Sequence, residues 1–278
     1  VLGCTHYPLI RPILQRVFGR GVALVSPDAV GGGAGRRLTP WGWTPGAVEA
    51  GERAGATVEH PPLDAVRRVN SKVFSHGVER ELGIALPGAA LAASLEALDR
   101  AAAAACPGAS DKWVVKAPFG FAARERVLGR GPRMDPPSAT WAARRFARGE
   151  TLLFEPWLEV VREYGIQVDV GAGGDLEVLG ITRMLTNGAG ATTGYVLGDA
   201  ADPARAAALV ETAREVGRRL SAEGYRGPAN VDALEHAAGL RPLLEINARH
   251  TMGLVALAVE LERRPESPTV WAPSEPPA

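Results

Sequence analysis

Gly227-Pro228-Ala229-Asn230-Val231-Asp232 and Leu243-Leu244-Glu245-Ile246-Asn247-Ala248-Arg249 are the two segments whose reading decides the fold. Each reads as a strand, and His236-Ala237-Ala238-Gly239 reads as the join between them. Side chains alternate along a strand, so Glu245 and Asn247 share one face while Ile246 points into the core. If the strands form a hairpin, Asp232 lies beside Glu245. Two carboxylates and an amide oxygen on one face make a hard-oxygen set. Such a set suits Mg2+ or Mn2+, with water and phosphate oxygens completing the coordination. Arg249, two residues on, is placed to stabilise a phosphoryl group or an oxyanion. Taken alone, the pattern also describes solvated strand carboxylates with an asparagine opening a turn.

The upstream sequence supplies partners for that face. Lys112-Trp113-Val114-Val115-Lys116 reads as a short strand, and Ala117-Pro118-Phe119-Gly120-Phe121 follows as a loop. A lysine projecting from a strand beneath a glycine-containing loop is a phosphate clamp in outline. Lys72 follows Asn70-Ser71 on a helical pattern, where a surface lysine lying along the helix is the alternative. Glu155-Pro156-Trp157-Leu158 closes a strand with a rigid turn, as a hinge would, and its backbone groups could read an adenine edge.

The remaining pattern is mixed. Helices are predicted from Leu63 to Leu82, Leu91 to Ala105, Ser138 to Arg148, Pro203 to Glu223 and Met252 to Glu262, with Thr44 capping another that opens on Pro45. Strands are predicted at Ala56–Glu59, Thr151–Glu155, Tyr164–Val170, Leu176–Met184 and Thr192–Leu197. The Pro-rich tail from Pro265 reads as disordered. Alternating helices and strands early, and an antiparallel meander late, indicate an α+β assembly of two lobes.

The 278 residues carry 31 Lys+Arg against 31 Asp+Glu, and this balance excludes a general polyanion-binding surface. No nucleic acid partner is therefore expected. No segment reaches the roughly 20 apolar residues that span a bilayer, so no membrane partner is expected either. Cys4 and Cys106 cannot build a disulfide framework, which favours a reducing, cytoplasmic setting. Among the 31 cations only Lys72, Lys112 and Lys116 are lysines. Codon composition accounts for the scarcity but not for the position of two of them.

Together these residues resemble the ATP-grasp family over about residues 40 to 262, in the family's order and with its thirteen-residue step from Asp232 to Glu245. The resemblance implies a two-lobed α+β ATP-grasp fold behind a short N-terminal α/β segment. It divides the chain into 31–70 as that segment, 71–155 as the small lobe, 156–262 as the large lobe and 263–278 as the tail. It implies ATP and Mg2+ as cofactors, with Lys72 and Lys116 on the phosphates. Glu155, Trp157 and Leu158 would meet the adenine, and Glu163 the ribose. Asp232, Glu245 and Asn247 would hold the metal, and Arg249 would steady the transferred group. The activity implied is an ADP-forming ligase acting on a small-molecule carboxylate and an amine or similar nucleophile. The loop after Lys116 departs from the family in being poorer in glycine and carrying Phe119 and Phe121.

Residues 1–30 resemble a different family. Leu2-Gly3-Cys4-Thr5-His6-Tyr7-Pro8-Leu9 is similar to the second catalytic-cysteine segment of glutamate and aspartate racemases. That chemistry needs two thiols on opposite faces of the substrate, and Cys106 lies in an alanine run with no racemase signature. Cys4 is read either as a relic of a racemase or as half of an incomplete site, and Cys106 as a small buried apolar residue. Three further features have two readings each. Trp41 and Trp43 stack on a ligand or pack between lobes. Arg183 meets a substrate carboxylate or is a surface arginine. Asn187 to Gly194 is a substrate loop or a plain connection.

Overall fold

The computed structural model describes residues 35–120, 125–188, 190–199 and 201–272. The cysteine segment around Cys4 and the loop residues 121–124 lie outside the described residues. Seven helices and two antiparallel sheets are present among those described. Three helices come first: α1 (Pro45–Arg53), α2 (Leu63–Val69) and α3 (Lys72–Glu81). Next follow β1 (Ala90–Ala92), α4 (Leu95–Ala105), β2 (Lys112–Lys116), β3 (Arg126–Arg130), α5 (Pro136–Phe146) and β4 (Leu152–Pro156). The second half contains β5 (Val160–Val170), β6 (Leu176–Thr186), β7 (Thr192–Leu197), α6 (Pro203–Ala222), β8 (Gly227–His236), β9 (Gly239–Asn247), α7 (Met252–Arg263) and β10 (Thr269–Trp271).

The predicted helix from Leu63 to Leu82 is two helices. Asn70 and Ser71 offer the backbone alternative hydrogen bonds, which is why such residues favour helix ends. Ser71 Oγ accepts from the Phe74 amide at 3.1 Å and caps α3, while Asn70 donates back to the Val66 carbonyl at 2.8 Å. Asn70 Oδ1 also accepts from the Ala248 amide at 2.9 Å, tying the break to the end of β9. The split puts Lys72 in the first turn of a new helix.

The four-stranded sheet has the order β1-β4-β2-β3. On one face Trp113, Val115, Leu152 and Phe154 pack against α4 and α5 with Leu98, Ala102, Cys106 and Ala142. The opposite face carries Lys116 and Glu155, two positions that share neighbours across β2 and β4. Leu91 to Ala105 was expected as one helix; its start is instead the edge strand β1, and Ser94 caps a shorter helix by accepting from Ala97. Strand β3 follows the loop and was not anticipated from the sequence. It is held by the packing of Trp113 over Gly129, where a Cβ would lie 2.1 Å from the indole ring. Gly129→Ala is expected to destabilise the fold by about 1–3 kcal/mol through overpacking of this buried contact, read as a lowered urea midpoint.

The six-stranded sheet has the order β10-β7-β6-β5-β8-β9. Tyr164, Ile166, Val168 and Val170 alternate along β5 onto one face, where Leu209, Ala213, Val216 and Leu220 of α6 cover them. Val66, Val69 and Val78 of α2 and α3 join the same core. Glu163, Gly165 and Gln167 alternate onto the other face, opposite Leu234, Asp232 and Asn230 of β8.

Two further expectations need correction. The tail is not wholly disordered: Thr269–Trp271 pair with Tyr195–Leu197, and Trp271 is buried against Tyr195 with ring centroids 6.0 Å apart. Gly194 permits this, because a Cβ there would lie 2.8 Å from the Trp271 carbonyl oxygen. The predicted strand at Ala56–Glu59 is reduced to a single bridge between Arg37 and Thr57.

Candidate active site

The hairpin β8–β9 pairs Asp232 with Glu245 and Asn230 with Asn247. The two carboxylates therefore stand side by side, as the alternation argument required. Asp232 is held from both sides by amides: Asn230 Nδ2 donates to its Oδ1 at 2.6 Å and Asn247 Nδ2 to its Oδ2 at 2.8 Å. Asn230 is itself held by Gln167 Nε2 at 2.6 Å, and Gln167 accepts from Thr251 Oγ1 at 3.1 Å. Gly165 makes room for this chain, since a Cβ there would come within 2.6 Å of Asn230 Oδ1. Asn230 and Gln167 were not singled out in the sequence, although Asn230 sits two residues before Asp232 and so shares its face.

Burial, and then the neighbouring charge of Glu245, push the Asp232 carboxyl up to about 7 against the opposing pull of Asn230, Arg249 and Asn247. A cation between the two carboxylates would relieve that repulsion, and the donor set of two carboxylates and an amide suits a hard divalent ion. Asn247 Oδ1 accepts from Arg249 Nη2 at 2.8 Å, so the amide oxygen and the guanidinium stand together. Among the described residues no group of three or more His, Cys, Asp or Glu is placed to hold a metal.

The two lysines approach from different elements. Lys72 Nζ donates to Glu245 Oε1 at 2.8 Å and to the Gly120 carbonyl at 3.2 Å. Its backbone amide donates to the Pro118 carbonyl at 2.9 Å, so the start of α3 anchors the loop that follows Lys116. Lys116 Nζ lies 2.5 Å from Glu155 Oε2. Burial alone would raise the Glu155 carboxyl, but Lys116 and Arg241 beside it hold it down to about 2. Arg241 also grips Glu79 with two bonds, at 2.9 and 3.1 Å. Neither Glu79 nor Arg241 carries a motif that would have marked it.

After β4, the Trp157 amide donates to the Lys112 carbonyl at 2.9 Å, and the Arg126 guanidinium lies 5.9 Å from the Trp157 ring. Leu158 is half-buried. Glu163 accepts a hydrogen bond from Thr186 Oγ1, and its charge acts on Arg126. Arg183 is paired with Asp199, and Asn187 Oδ1 accepts from the Ala191 amide at 3.0 Å within its turn. Trp41 and Trp43 both pack: Trp41 lies 5.8 Å from the His250 ring and Trp43 5.7 Å from the His60 ring. Between them, Gly42 allows Arg249 to approach within 3.2 Å of where a Cβ would stand. Cys106 is buried, and that burial pushes its thiol up from the ordinary value. No helix among the described residues is long and apolar enough to cross a membrane.

Solved structures share this fold. A biotin carboxylase–βγ-ATP complex from Campylobacter jejuni matches 77% of this chain and 48% of its own, at 20% identity and a TM-score of 0.60. An ADP complex of N5-carboxyaminoimidazole ribonucleotide synthetase matches 74% of this chain and 51% of its own, at 14% identity and a TM-score of 0.55. The chain has an ATP-grasp fold. Pyruvate carboxylase from Rhizobium etli matches 78% of this chain and 19% of its own, at 19% identity and a TM-score of 0.61. This chain therefore spans about half the length of the first two structures. No protein-family model matches the sequence. Separately, 29 residues are 62% identical to glutamate racemase from Lactiplantibacillus plantarum, which is 10% of this chain and 11% of that enzyme.

Proposed function

We propose that the chain carries the nucleotide site of an ATP-dependent, ADP-forming ligase that joins a carboxylate to an amine or similar nucleophile through an acyl phosphate. The observation that carries the reading is the contact of Lys72 with Glu245, at 2.8 Å, beside the Asp232–Glu245 pair. It sets an ammonium and a hard-oxygen cluster against each other where a polyphosphate and its metal would need both charges. The similar solved structures, a biotin carboxylase bound to a βγ-ATP ligand and a carboxyaminoimidazole ribonucleotide synthetase bound to ADP, support the same reading.

Lys72 and Lys116 would neutralise phosphate oxygens, and the backbone from Glu155 to Leu158 would border the adenine, with Trp157 as one wall. Glu163 would accept from the ribose hydroxyls. Asp232, Glu245 and Asn247 would hold Mg2+ or Mn2+, which supplies Lewis-acid stabilisation of charge on the transferring phosphoryl group. Arg249 would steady the same charge from the far side of Asn247. In the first step a carboxylate oxygen of the acid bonds to the γ-phosphorus as the bond to the ADP oxygen breaks. In the second the amine bonds to the acyl carbon, phosphate leaves with the bonding pair, and the amine proton passes to solvent. Most of the acceleration then comes from positioning and charge.

ADP release measured across a panel of acids and amines, with hydroxylamine in parallel reactions, tests the proposal. A hydroxamate formed with one acid is the expected result. Nucleotide-dependent thermal stabilisation with no ADP release from any pair would instead favour a nucleotide-binding module without turnover.

A further inference from the structure

A chain of buried charges links the two sheets. Glu79 is 1% exposed, Glu155 2% and Arg241 4%. Arg241 holds both oxygens of Glu79 on α3 and one oxygen of Glu155 on β4, and the other Glu155 oxygen meets Lys116 on β2. His76 Nδ1 stands 3.5 Å from Glu79 at the far end. Charges buried this deeply lose so much hydration that an apolar replacement of similar volume is often no less stable. Stability therefore does not explain the arrangement by itself. Geometry does, because a guanidinium is a planar fork that fixes the direction of each carboxylate it binds.

The chain is also placed where orientation matters. Lys72 and Glu79 are separated along α3 by about 10.5 Å, at 1.5 Å per residue. Arg241 and Glu245 are separated along β9 by roughly 13 Å, at about 3.3 Å per residue. The Lys72–Glu245 and Glu79–Arg241 pairs are thus two rungs of one ladder. Ser75, between Lys72 and Glu79 on α3, accepts through Oγ from the Ile246 amide at 3.1 Å, next to Glu245 on β9. The α3–β9 ladder carries one lysine and one carboxylate of the nucleotide site. Through Arg241 it reaches across to Glu155 and so to the second lysine.

We propose that Arg241 is a positioning residue for Lys116. By occupying Glu155 Oε1 it turns Oε2 to Lys116, and it sets that ammonium at a fixed place relative to Lys72, Glu245 and Asp232. This rests on the reading of Lys116 as a phosphate-binding group. Without Arg241, Lys116 is the cation left paired with Glu155 among the described residues. The carboxylate then swings toward the lysine and withdraws it from phosphate.

The test compares ATP with adenosine, which lacks the phosphates, by calorimetric titration in the presence of Mg2+. Arg241→Met is expected to weaken ATP by about tenfold or more and to leave adenosine within about twofold. In the Lys116→Met background the same change should add almost nothing, because both substitutions remove one interaction. Equal loss for both ligands, or full additivity in the double variant, would overturn the proposal and leave Arg241 as a structural residue. If Arg241→Met does not fold, Arg241→Lys keeps the charge without the fork and is read by the same ratio. Failure of the nucleotide reading itself is seen in the parent chain, which would bind neither ATP nor adenosine.

Discussion

Glu245→Gln is expected to lower metal-dependent ADP formation by at least about 100-fold, the size of effect seen when a group stabilising transition-state charge is lost. The substitution preserves shape. Glu245 is only partly buried, its backbone pairing with Asp232 does not depend on the side chain, and a glutamine oxygen still accepts from Lys72. What it removes is one negative charge from a pair that faces the lysine. That loss weakens the hold on a divalent cation, and it also frees Asp232 from the like charge that helps to raise it. The melting temperature should therefore stay close to that of the parent while turnover falls. A coupled ADP assay and a thermal melt on the same preparation separate the two, and parental turnover in the Gln variant would remove Glu245 from the metal site.

Glu155→Gln should have the largest effect on stability. The folded carboxyl is held at about 2 against an ordinary value of 4.5, with burial opposed by Lys116 and Arg241. A group depressed in the folded state stabilises the fold above its unfolded value. The contribution is fully present above pH 4.5 and is lost as the pH falls through about 2. At about 1.36 kcal/mol per unit the contribution is on the order of 3 kcal/mol. The neutral amide forfeits it and leaves Lys116 and Arg241 close together without the anion between them, a situation that typically costs about 3–5 kcal/mol. Urea unfolding at neutral pH should show the full loss, and the gap between parent and variant should close as the pH approaches 2. A gap that stays constant from pH 7 to pH 2 would show that the charge of Glu155 is not the source of the stability.

Part of the candidate site's geometry was legible in the order of residues. Strand alternation put Asp232, Glu245 and Asn247 on one face, and the hairpin then placed the two carboxylates in register. Thr44 and Pro45 marked the start of α1. Each of these is a local property, set by dihedral preference, capping or periodicity over a few residues. Where local signals competed, the sequence reading missed. Asn70-Ser71 broke a helix that apolar spacing alone would have continued, and Val270 and Trp271 found an edge strand despite the prolines around them.

The sequence by itself thus determined which residues share a face and which segments can be strands or helices, because those follow from backbone geometry within one element. Only the tertiary structure decided which residues meet from separate elements. Lys72 and Glu245 are 173 residues apart, Arg241 and Glu79 162, and Arg241 and Glu155 86. Such pairs are chosen by how α3 packs along β9 and how the small sheet settles against that unit. No periodicity in the chain encodes that choice, since it depends on the burial of both cores at once.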